Sequence, residues 1–406
     1  MDNFKIFDGD VTSPKGFKAS GLNIGLKRDK KDMALIVSDV PAKGAGVFTT
    51  NKACAAPILL CKENITNAEI QAIIINSNNA NACTGQKGYE NALAMAEATA
   101  EELNISPGNV LVASTGVIGV PLPMETILNG IKKVSRNLSY EGGRSAAEAI
   151  LTTDTYIKNI AVSVEIDGRQ VTIGGIAKGS GMIEPNMATM LAFVTTDANI
   201  EREFLQKLLN RVTDKTYNMI TVDGDTSTND MASVMANGIA GNMVINEKHP
   251  EVEKFTEAFY YVNKYLAKSI VRDGEGATKL IEVEVINAKS LVDAKKVAKS
   301  ILNSNLVKSA FFGEDANWGR IICSIGYSGA DFDINEIEVF LGKEGDMVKI
   351  IEDGGGTGFD EQYISQILKE KDLKIIVDLK NGSEKTIGWG CDLSYDYIKI
   401  NISYRS

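Results

Sequence analysis

A threonine near the start of an apolar run is the first residue in this sequence that could carry covalent chemistry. Residues 178–194 read KGSGMIEPNMATMLAFV, in which Gly, Ser, Pro and Asn residues precede a run that is typical of a buried strand. Thr189 is the polar residue near the beginning of that run. It is either a β-branched residue at an ordinary strand position or a nucleophile at the edge of a sheet.

A nucleophilic threonine needs a general base, and His249 is the only histidine in the 406 residues. With no G-x-S-x-G elbow present, a Ser-His-Asp site has little support, and a multi-histidine metal centre is excluded. Cleavage of the chain between Ala188 and Thr189 would free an α-amine, and its ordinary pKa of about 8 suits it as base for the hydroxyl of the same residue. The same hydroxyl could start this cleavage by attacking the carbonyl of Ala188.

A candidate partner for such a nucleophile lies in VASTGVIG (112–119), where Thr115 and Gly116 stand at the end of a predicted strand. Glycine allows a close approach of the backbone to a ligand. A hydroxyl beside a free backbone N–H is a plausible oxyanion hole. An ordinary strand end is the alternative interpretation.

Three other polar stretches have two interpretations each. ITVDGDTSTND (220–230) superficially fits a magnesium-dependent phosphohydrolase, whose further acidic pair would have to come from GEDANWGR (313–320), but a polar functional or structural loop is favoured. DGGGTGFDEQ (353–362) could bind an anion through its backbone, although a hairpin or loop is favoured. NSNNANACTGQKG (76–88) predicts either a structured turn or a loop that lines a pocket, and its Cys83 is predicted to be a buried thiol.

Bulk properties narrow the class of protein. The composition, with 44% hydrophobic and 24% charged residues, is that of a globular domain, and no apolar run reaches the length of a membrane span. The net charge of −10 argues against nucleic acid, and the short run KRDKKD (27–32) is predicted to be a solvated loop. Five cysteines without CxxC spacing predict reduced thiols and neither a disulfide scaffold nor a metal site, so we expect a cytoplasmic protein.

Strands and helices alternate along the chain, which predicts an α/β (α+β) fold of layered sheets flanked by helices. We predict strands at 70–76, 109–115, 160–166, 171–177, 191–197, 280–286, 320–324, 336–341, 374–379 and 397–403. We predict helices at 89–104, 250–274, 292–309 and 361–370, and one that follows the strand at 191–197. Asp167-Gly168 predicts a hairpin turn between two of the strands.

The threonine segment and several other motifs together resemble the ornithine acetyltransferase (glutamate N-acetyltransferase) family of arginine biosynthesis. The resemblance runs the full chain and is specific, because long motifs occur in the family's order. They are NSNNANACTGQKG, ASTGVIGVPLPM, ILTTDTYIK, AKGSGMIEPNMATMLAFVTTDA, ITVDGDTSTND, DGEGATKLIEV, FGEDANWGRI and the C-terminal NISYRS.

The resemblance implies self-cleavage between Ala188 and Thr189 and an N-terminal-nucleophile-like fold of the DmpA/ArgJ type. It implies an α chain of residues 1–188 and a β chain of residues 189–406, which stay associated as an α2β2 heterotetramer. Thr189 would take acetyl from N-acetylornithine, release ornithine and pass the acetyl group to glutamate in a ping-pong cycle. No cofactor or metal is implied, and acetyl-CoA as a second acetyl donor stays open.

The resemblance also implies roles for individual residues. Thr115 and Gly116 would stabilise the oxyanion of each tetrahedral intermediate. The implied substrate-binding residues are Thr152, Lys178, Thr189, Glu275, Asn401 and Ser406. Lys178 and Glu275 would supply the two signs of charge that a pocket for both ornithine and glutamate needs.

One position departs from the family, which usually has Gly where this chain has Asn78. Asn tolerates the left-handed backbone region, so we expect the turn to survive. Two other classes of function stay open at this point. A self-processed amidase or aminopeptidase would pass the acyl group to water, and an unprocessed binding protein would remain one intact chain.

Overall fold

The computed structural model of the chain describes residues 3–67, 69–184 and 190–403. Strands and helices alternate through these ranges, in agreement with the predicted α/β class. Three residues of the predicted site, Ala188, Thr189 and Ser406, lie outside the described residues.

The strands of the described ranges are β1 (Phe4–Phe7), β2 (Phe17–Leu22), β3 (Met33–Phe48), β4 (Ile70–Asn79), β5 (Val110–Val117), β6 (Lys158–Ile166), β7 (Arg169–Lys178), β8 (Leu191–Thr196), β9 (Met231–Ala236), β10 (Leu280–Ala288), β11 (Glu338–Lys343), β12 (Asp346–Glu352), β13 (Gly355–Gly356), β14 (Asp372–Asp378) and β15 (Glu384–Cys391). The α-helices are α1 (Ala56–Asn64), α2 (Gly85–Leu103), α3 (Met124–Arg136), α4 (Gly143–Ala149), α5 (Arg202–Lys215), α6 (Val252–Arg272), α7 (Leu291–Asn303), α8 (Asn305–Phe312), α9 (Trp318–Gly326), α10 (Glu361–Ile367) and α11 (Tyr395–Ser403). Among the helices of the described ranges, none is both long and apolar enough to cross a membrane.

One large sheet has the strand order β1-β6-β7-β8-β9-β3-β4-β5, and β2 pairs with β3. The long strand β3 joins the two halves of this sheet. Its first part pairs with β4 and its second part pairs with β9, and the register with β4 shifts between Val37 and Ala42. A strand that changes partners in this way lets the sheet fold over on itself.

The two halves of the large sheet pack face to face. Alternate residues of a strand point to opposite faces, and one buried cluster collects one face from each half. Its members include Ile36 of β3, Ile73 of β4, Phe193 of β8 and Met235 of β9. The opposite faces are covered by helices, with α2 and α3 on the β4–β5 side and α5 and α6 on the β6–β9 side. The result is a helix–sheet–sheet–helix sandwich.

A second sheet follows in the C-terminal part of the chain, with the order β13-β12-β11-β14-β10-β15. Its buried residues belong to the same hydrophobic cluster as those of α5 and α6. Helix α6 packs on β6, β7 and β15 and so joins the two sheets. This packing fixes the position of the second sheet relative to the large sheet.

The predicted hairpin at Asp167-Gly168 is confirmed, and the stretch at 353–362, predicted to be a hairpin or loop, is a hairpin. Asp167 and Gly168 have φ of 52° and 68° between β6 and β7, which pair antiparallel. Asp353 and Gly354 have φ of 47° and 71° between β12 and β13, so DGGGTGFDEQ contains a tight hairpin.

Three of the predicted elements are wrong. Residues 320–324 belong to helix α9, whose first turn is capped by the Asn317 side chain accepting from the Arg320 N–H. Residues 397–403 belong to helix α11, although YIKINIS alternates like a strand. The predicted helix 292–309 is two helices, because Ser304 has a ψ of 108° that ends α7 and a side chain that caps α8.

Candidate active site

A cavity of about 190 Å³ opens where β5 and β7 end and β8 begins. Every predicted site residue that the structure describes lines this cavity. They are Thr115, Gly116, Thr152, Lys178, Glu275 and Asn401. Met190 and Leu191, which directly follow the predicted nucleophile in the chain, also line it.

Gly116 lies at a close approach of two strands at the cavity wall. It pairs with Asn78 of the parallel strand β4 and has a φ of 132°. A Cβ on Gly116 would come within 2.3 Å of the Asn78 carbonyl carbon, so glycine is required here. Asn78 itself has a φ of 84°, and its side-chain amide donates to the Leu26 carbonyl at 2.6 Å. The prediction that asparagine accepts a glycine-like conformation at this position is confirmed.

Asn229 holds the end of β5 in place. Its amide nitrogen donates to the carbonyls of Ser114 at 2.8 Å and Ala80 at 2.6 Å. The Ser114 hydroxyl in turn donates to Asn76 Oδ1 at 2.6 Å. These buried bonds leave the neighbouring Thr115 facing the cavity on a rigid support.

Asp154 is the centre of a buried charge network behind the cavity. Its Oδ1 accepts from Lys158 Nζ and from the Gly179 N–H, both at 2.7 Å. Its Oδ2 accepts from the Thr152 N–H at 2.9 Å and lies 3.9 Å from Lys178 Nζ. Burial raises the pKa of the Asp154 carboxyl, but the two lysines outweigh that effect and hold the pKa well below its usual range.

Lys178, at the end of β7, lies between Asp154 and Thr115, whose hydroxyl is predicted to stabilise the oxyanion. Its Nζ is 3.5 Å from Thr115 Oγ1, to which it donates. Burial lowers the pKa of Lys178, and the negative charge of Asp154 opposes that shift. The network continues behind Asp154, where Lys158 Nζ lies 2.5 Å from Asp273 Oδ2. Charges therefore alternate in sign from Asp273 to the cavity.

The opposite charge is supplied to the cavity by Glu275 and Asp223. Glu275 Oε2 accepts from the Asn401 amide at 2.8 Å, which connects α11 to the cavity wall. The Tyr397 hydroxyl, one turn earlier on α11, donates to Asp223 Oδ2 at 3.3 Å. Burial, and then the charge of Asp223, raise the pKa of Tyr397. The cavity thus presents both signs of charge.

The stretch ITVDGDTSTND lines the cavity, and the carboxylate of its first aspartate, Asp223, is occupied by the backbone. Both oxygens of Asp223 accept from backbone N–H groups, those of Met182 at 2.7 Å and Ile183 at 2.8 Å. Within residues 3–67, 69–184 and 190–403, no group of three or more His, Cys, Asp or Glu side chains could hold a metal ion. The stretch is the polar loop that was favoured for it.

Several residues of the site could not be found in the sequence. Asp154 and Lys158 are four residues apart, which is a common spacing, and their partner Asp273 is more than a hundred residues away. The side chains of Lys158 and Asp154 are fully buried, which no local pattern indicates. The sequence around Asn229 indicates only a polar loop, so the bonds that Asn229 makes could not be predicted.

Three smaller predictions are corrected or refined. Cys83 is exposed, with a φ of 56°, and is not the buried thiol that was predicted. The run KRDKKD is not wholly solvated. Lys27 Nζ donates to the carbonyl of Leu151 at 2.5 Å, and Leu151 directly precedes Thr152 of the cavity wall. Burial lowers the pKa of Lys27 to about 8. The stretch NSNNANACTGQKG continues β4 as far as Asn79 and then lines the cavity at Ala80.

Comparison with known proteins places this arrangement in a family. The family model described as the ArgJ family matches residues 18–406. The chain is 56% identical to the arginine biosynthesis bifunctional protein ArgJ of Caldanaerobacter subterraneus over 99% of this chain and 100% of that protein. It is 52% identical to the protein of the same name from Oceanobacillus iheyensis, over 98% of this chain and 97% of that one.

A solved structure agrees with these relatives. The crystal structure of the arginine biosynthesis bifunctional protein ArgJ from Bacillus halodurans is 49% identical, with a TM-score of 0.50. The match covers 98% of that chain but 52% of this one. On the agreement of sequence along nearly its whole length, the chain belongs to the ArgJ family.

Proposed function

We propose that this chain is a glutamate N-acetyltransferase of arginine biosynthesis that cleaves itself between Ala188 and Thr189. It transfers acetyl from N2-acetyl-L-ornithine to L-glutamate through an acetyl-enzyme on Thr189. The observation that carries the proposal is that the six described residues implied by the resemblance, which are far apart in the sequence, line one cavity.

Cleavage begins when the Thr189 hydroxyl attacks the carbonyl carbon of Ala188. The C–N bond breaks as the C–O bond forms, and the hydroxyl proton goes to the departing nitrogen. One water then hydrolyses the ester, which leaves a carboxylate on Ala188 and restores the hydroxyl of Thr189. The freed α-amine of Thr189 is now the base for transfer.

Transfer uses the same hydroxyl twice. The α-amine of Thr189 takes the hydroxyl proton as the oxygen attacks the acetyl carbon of N-acetylornithine, and ornithine leaves with that proton on its amine. The glutamate amine then attacks the acetyl ester, the ester C–O bond breaks, and the proton returns to the threonine oxygen. Thr115 and the Gly116 N–H stabilise the oxyanion in both steps.

The charged groups of the cavity orient the two substrates. The Lys178 ammonium pairs with a substrate carboxylate, and Glu275 pairs with a substrate ammonium group. Thr152, Asn401 and Ser406 complete the binding of the amino-acid part.

The proposal includes the wider setting of the enzyme. The α chain (1–188) and the β chain (189–406) associate as an α2β2 heterotetramer in the cytoplasm. No cofactor takes part, and acetyl-CoA acts as a second acetyl donor to glutamate. The word bifunctional in the names of the relatives supports a second activity.

Intact-mass measurement and N-terminal sequencing of the purified protein, with Thr189→Ala beside it, test the proposal first. We expect two chains in the wild type, one of which begins TMLAFV, and one chain in the variant. Acetyl transfer from N-acetylornithine to glutamate is then compared with release of free acetate. Acetate release that is unaffected by glutamate would identify an amidase, and an uncut wild-type chain would overturn the proposal.

A further inference from the structure

Met182 and Ile183, which precede the proposed cleavage point in the chain, are held by one carboxylate. Asp223 Oδ2 accepts from the Met182 N–H at 2.7 Å, and Asp223 Oδ1 accepts from the Ile183 N–H at 2.8 Å. Met182 has a φ of 56°, a conformation that a residue with a long side chain seldom adopts. The strained turn at Met182 is therefore stabilised by a two-point bond to a charged group.

The segment that contains Asp223 also bonds to the chain on both sides of residues 185–189. The Thr226 hydroxyl donates to the Glu184 carbonyl at 2.8 Å, and the Val222 N–H donates to the Ile183 carbonyl at 2.7 Å. On the other side, the Met231 N–H donates to the Met190 carbonyl at 2.8 Å. Residues 222–231, which we call the cradle segment, thus bond to the chain before the proposed cleavage point, at Ile183 and Glu184, and after it, at Met190.

A cleavage that starts from the chain's own hydroxyl depends on such anchoring. The attacking oxygen and the carbonyl carbon belong to adjacent residues, so the reaction rate is set by how often the backbone adopts the geometry of attack. Fixing both ends of a short loop removes most of its other conformations. A carboxylate is well suited to this role, because its two oxygens can accept from two successive N–H groups.

We infer that Asp223 is a positioning residue for self-cleavage, and that the cradle segment acts by holding the chain on both sides of the bond that is cut. This inference rests on the proposed function, since it concerns the cut between Ala188 and Thr189. It assigns a role to the stretch ITVDGDTSTND that substrate binding does not account for. Because Tyr397 also contacts Asp223, the cradle segment is in contact with α11.

Asp223→Asn tests the inference, because the amide group keeps one acceptor and turns its NH₂ toward a backbone donor. Freshly synthesised protein is sampled over time, and the uncut fraction is measured by denaturing gel and intact mass. We expect cleavage at least tenfold slower than in the wild type. Asp39→Asn is the matched control, because Asp39 pairs with Lys18 in a partly exposed ion pair and does not line the cavity, and it should be cut at the wild-type rate.

A general loss of stability is separated from positioning by thermal unfolding. Uncut Asp223→Asn protein should unfold within a few degrees of uncut Thr189→Ala protein. Thr226→Val provides a second variant of similar shape, which removes only the bond to the Glu184 carbonyl and should slow cleavage several-fold. It decides the question alone if Asp223→Asn does not fold.

The outcomes distinguish this inference from the function on which it rests. An uncut wild-type chain overturns the proposed function. A wild type that is cut, together with wild-type cleavage rates in Asp223→Asn or, if that variant does not fold, in Thr226→Val, overturns only the role of the cradle segment. Slow cleavage accompanied by a large drop in the unfolding temperature also overturns it, since the effect would then be one of folding.

Discussion

At the scale of single residues, Asp154 has the largest influence on the site without lining the cavity. It bonds to the backbone of Thr152 and Gly179 and to the side chain of Lys158, and its charge faces Lys178. Removing one member of a buried charge pair is costly because the partner is left uncompensated. Asp154 therefore determines both the position and the charge of the Lys178 ammonium.

Asp154→Asn should lower kcat/KM for acetyl transfer by an order of magnitude or more, since a hydrogen bond to a charged group is worth roughly 1.5–3 kcal/mol. Burial already lowers the pKa of Lys178, and the Asp154 charge opposes this. Without that charge the pKa falls further. Activity that needs the ammonium form is then lost at a lower pH, so the alkaline limb of the pH profile should move down.

The pH dependence of kcat/KM distinguishes this effect from simple damage to the fold. Asp39→Asn is a suitable control, because Asp39 pairs with Lys18 in a partly exposed ion pair away from the cavity. Its profile should match that of the wild type. An unmoved alkaline limb in Asp154→Asn would show that the charge of Lys178 does not control transfer.

At the scale of elements, the site is built where strands end. β5 supplies Thr115, β7 supplies Lys178, and the helix α11 closes the cavity from the C-terminal side. Helix α11 has no buried residues, and the side chains of Asn401 and Tyr397 hold it through bonds to Glu275 and Asp223. Such a weakly packed element can move as substrates exchange.

Deleting residues 401–406 should abolish acetyl transfer and leave cleavage intact. The deletion removes the amide that bonds Glu275, while Tyr397 and its contact with Asp223 remain. The measurement is transfer activity beside the fraction of cut chain on a denaturing gel. Retained transfer would refute the roles of Asn401 and Ser406.

The sequence predicted elements best where their signal is local. The turn at Asp167-Gly168 and the strand before Thr115 follow from residue types that only a few conformations accept. Helix α11 was missed because YIKINIS has strand-like alternation, and what its side chains contact is distant in the chain. Tyr397 and Asn401 bond to Asp223 and Glu275, so tertiary contacts outweigh local preference there.

The candidate site was predictable for a different reason. Thr115, Lys178 and Glu275 were named through a family resemblance, and the fold brings them to one cavity. Asp154 and Asp273, which lie behind these residues, were not predicted. Each forms a buried ion pair with Lys158, and such a pair leaves no pattern in the surrounding sequence. Only the three-dimensional arrangement shows that both carboxylates pair with the buried ammonium of Lys158.

At the scale of the whole molecule, the proposed cut passes through a continuous structure. β7 belongs to the α chain and β8 to the β chain, and the two pair antiparallel. β3 of the α chain and β9 of the β chain also pair along their length. The hydrophobic clusters on both faces of this sheet contain residues from both sides of the cut.

The two chains should therefore remain associated after cleavage, with no linkage but packing and hydrogen bonds. Separation would expose the shared face of the sheet and leave two sets of strand edges unpaired, which is as costly as unfolding the domain. Light scattering after size-exclusion chromatography should give one species whose mass contains equal numbers of both chains. The same sample should give two bands on a denaturing gel.

High salt should not separate the chains, because the contact is a hydrophobic core and ladder hydrogen bonds rather than surface ion pairs. Dissociation into single folded chains in dilute buffer would contradict the shared sheet itself.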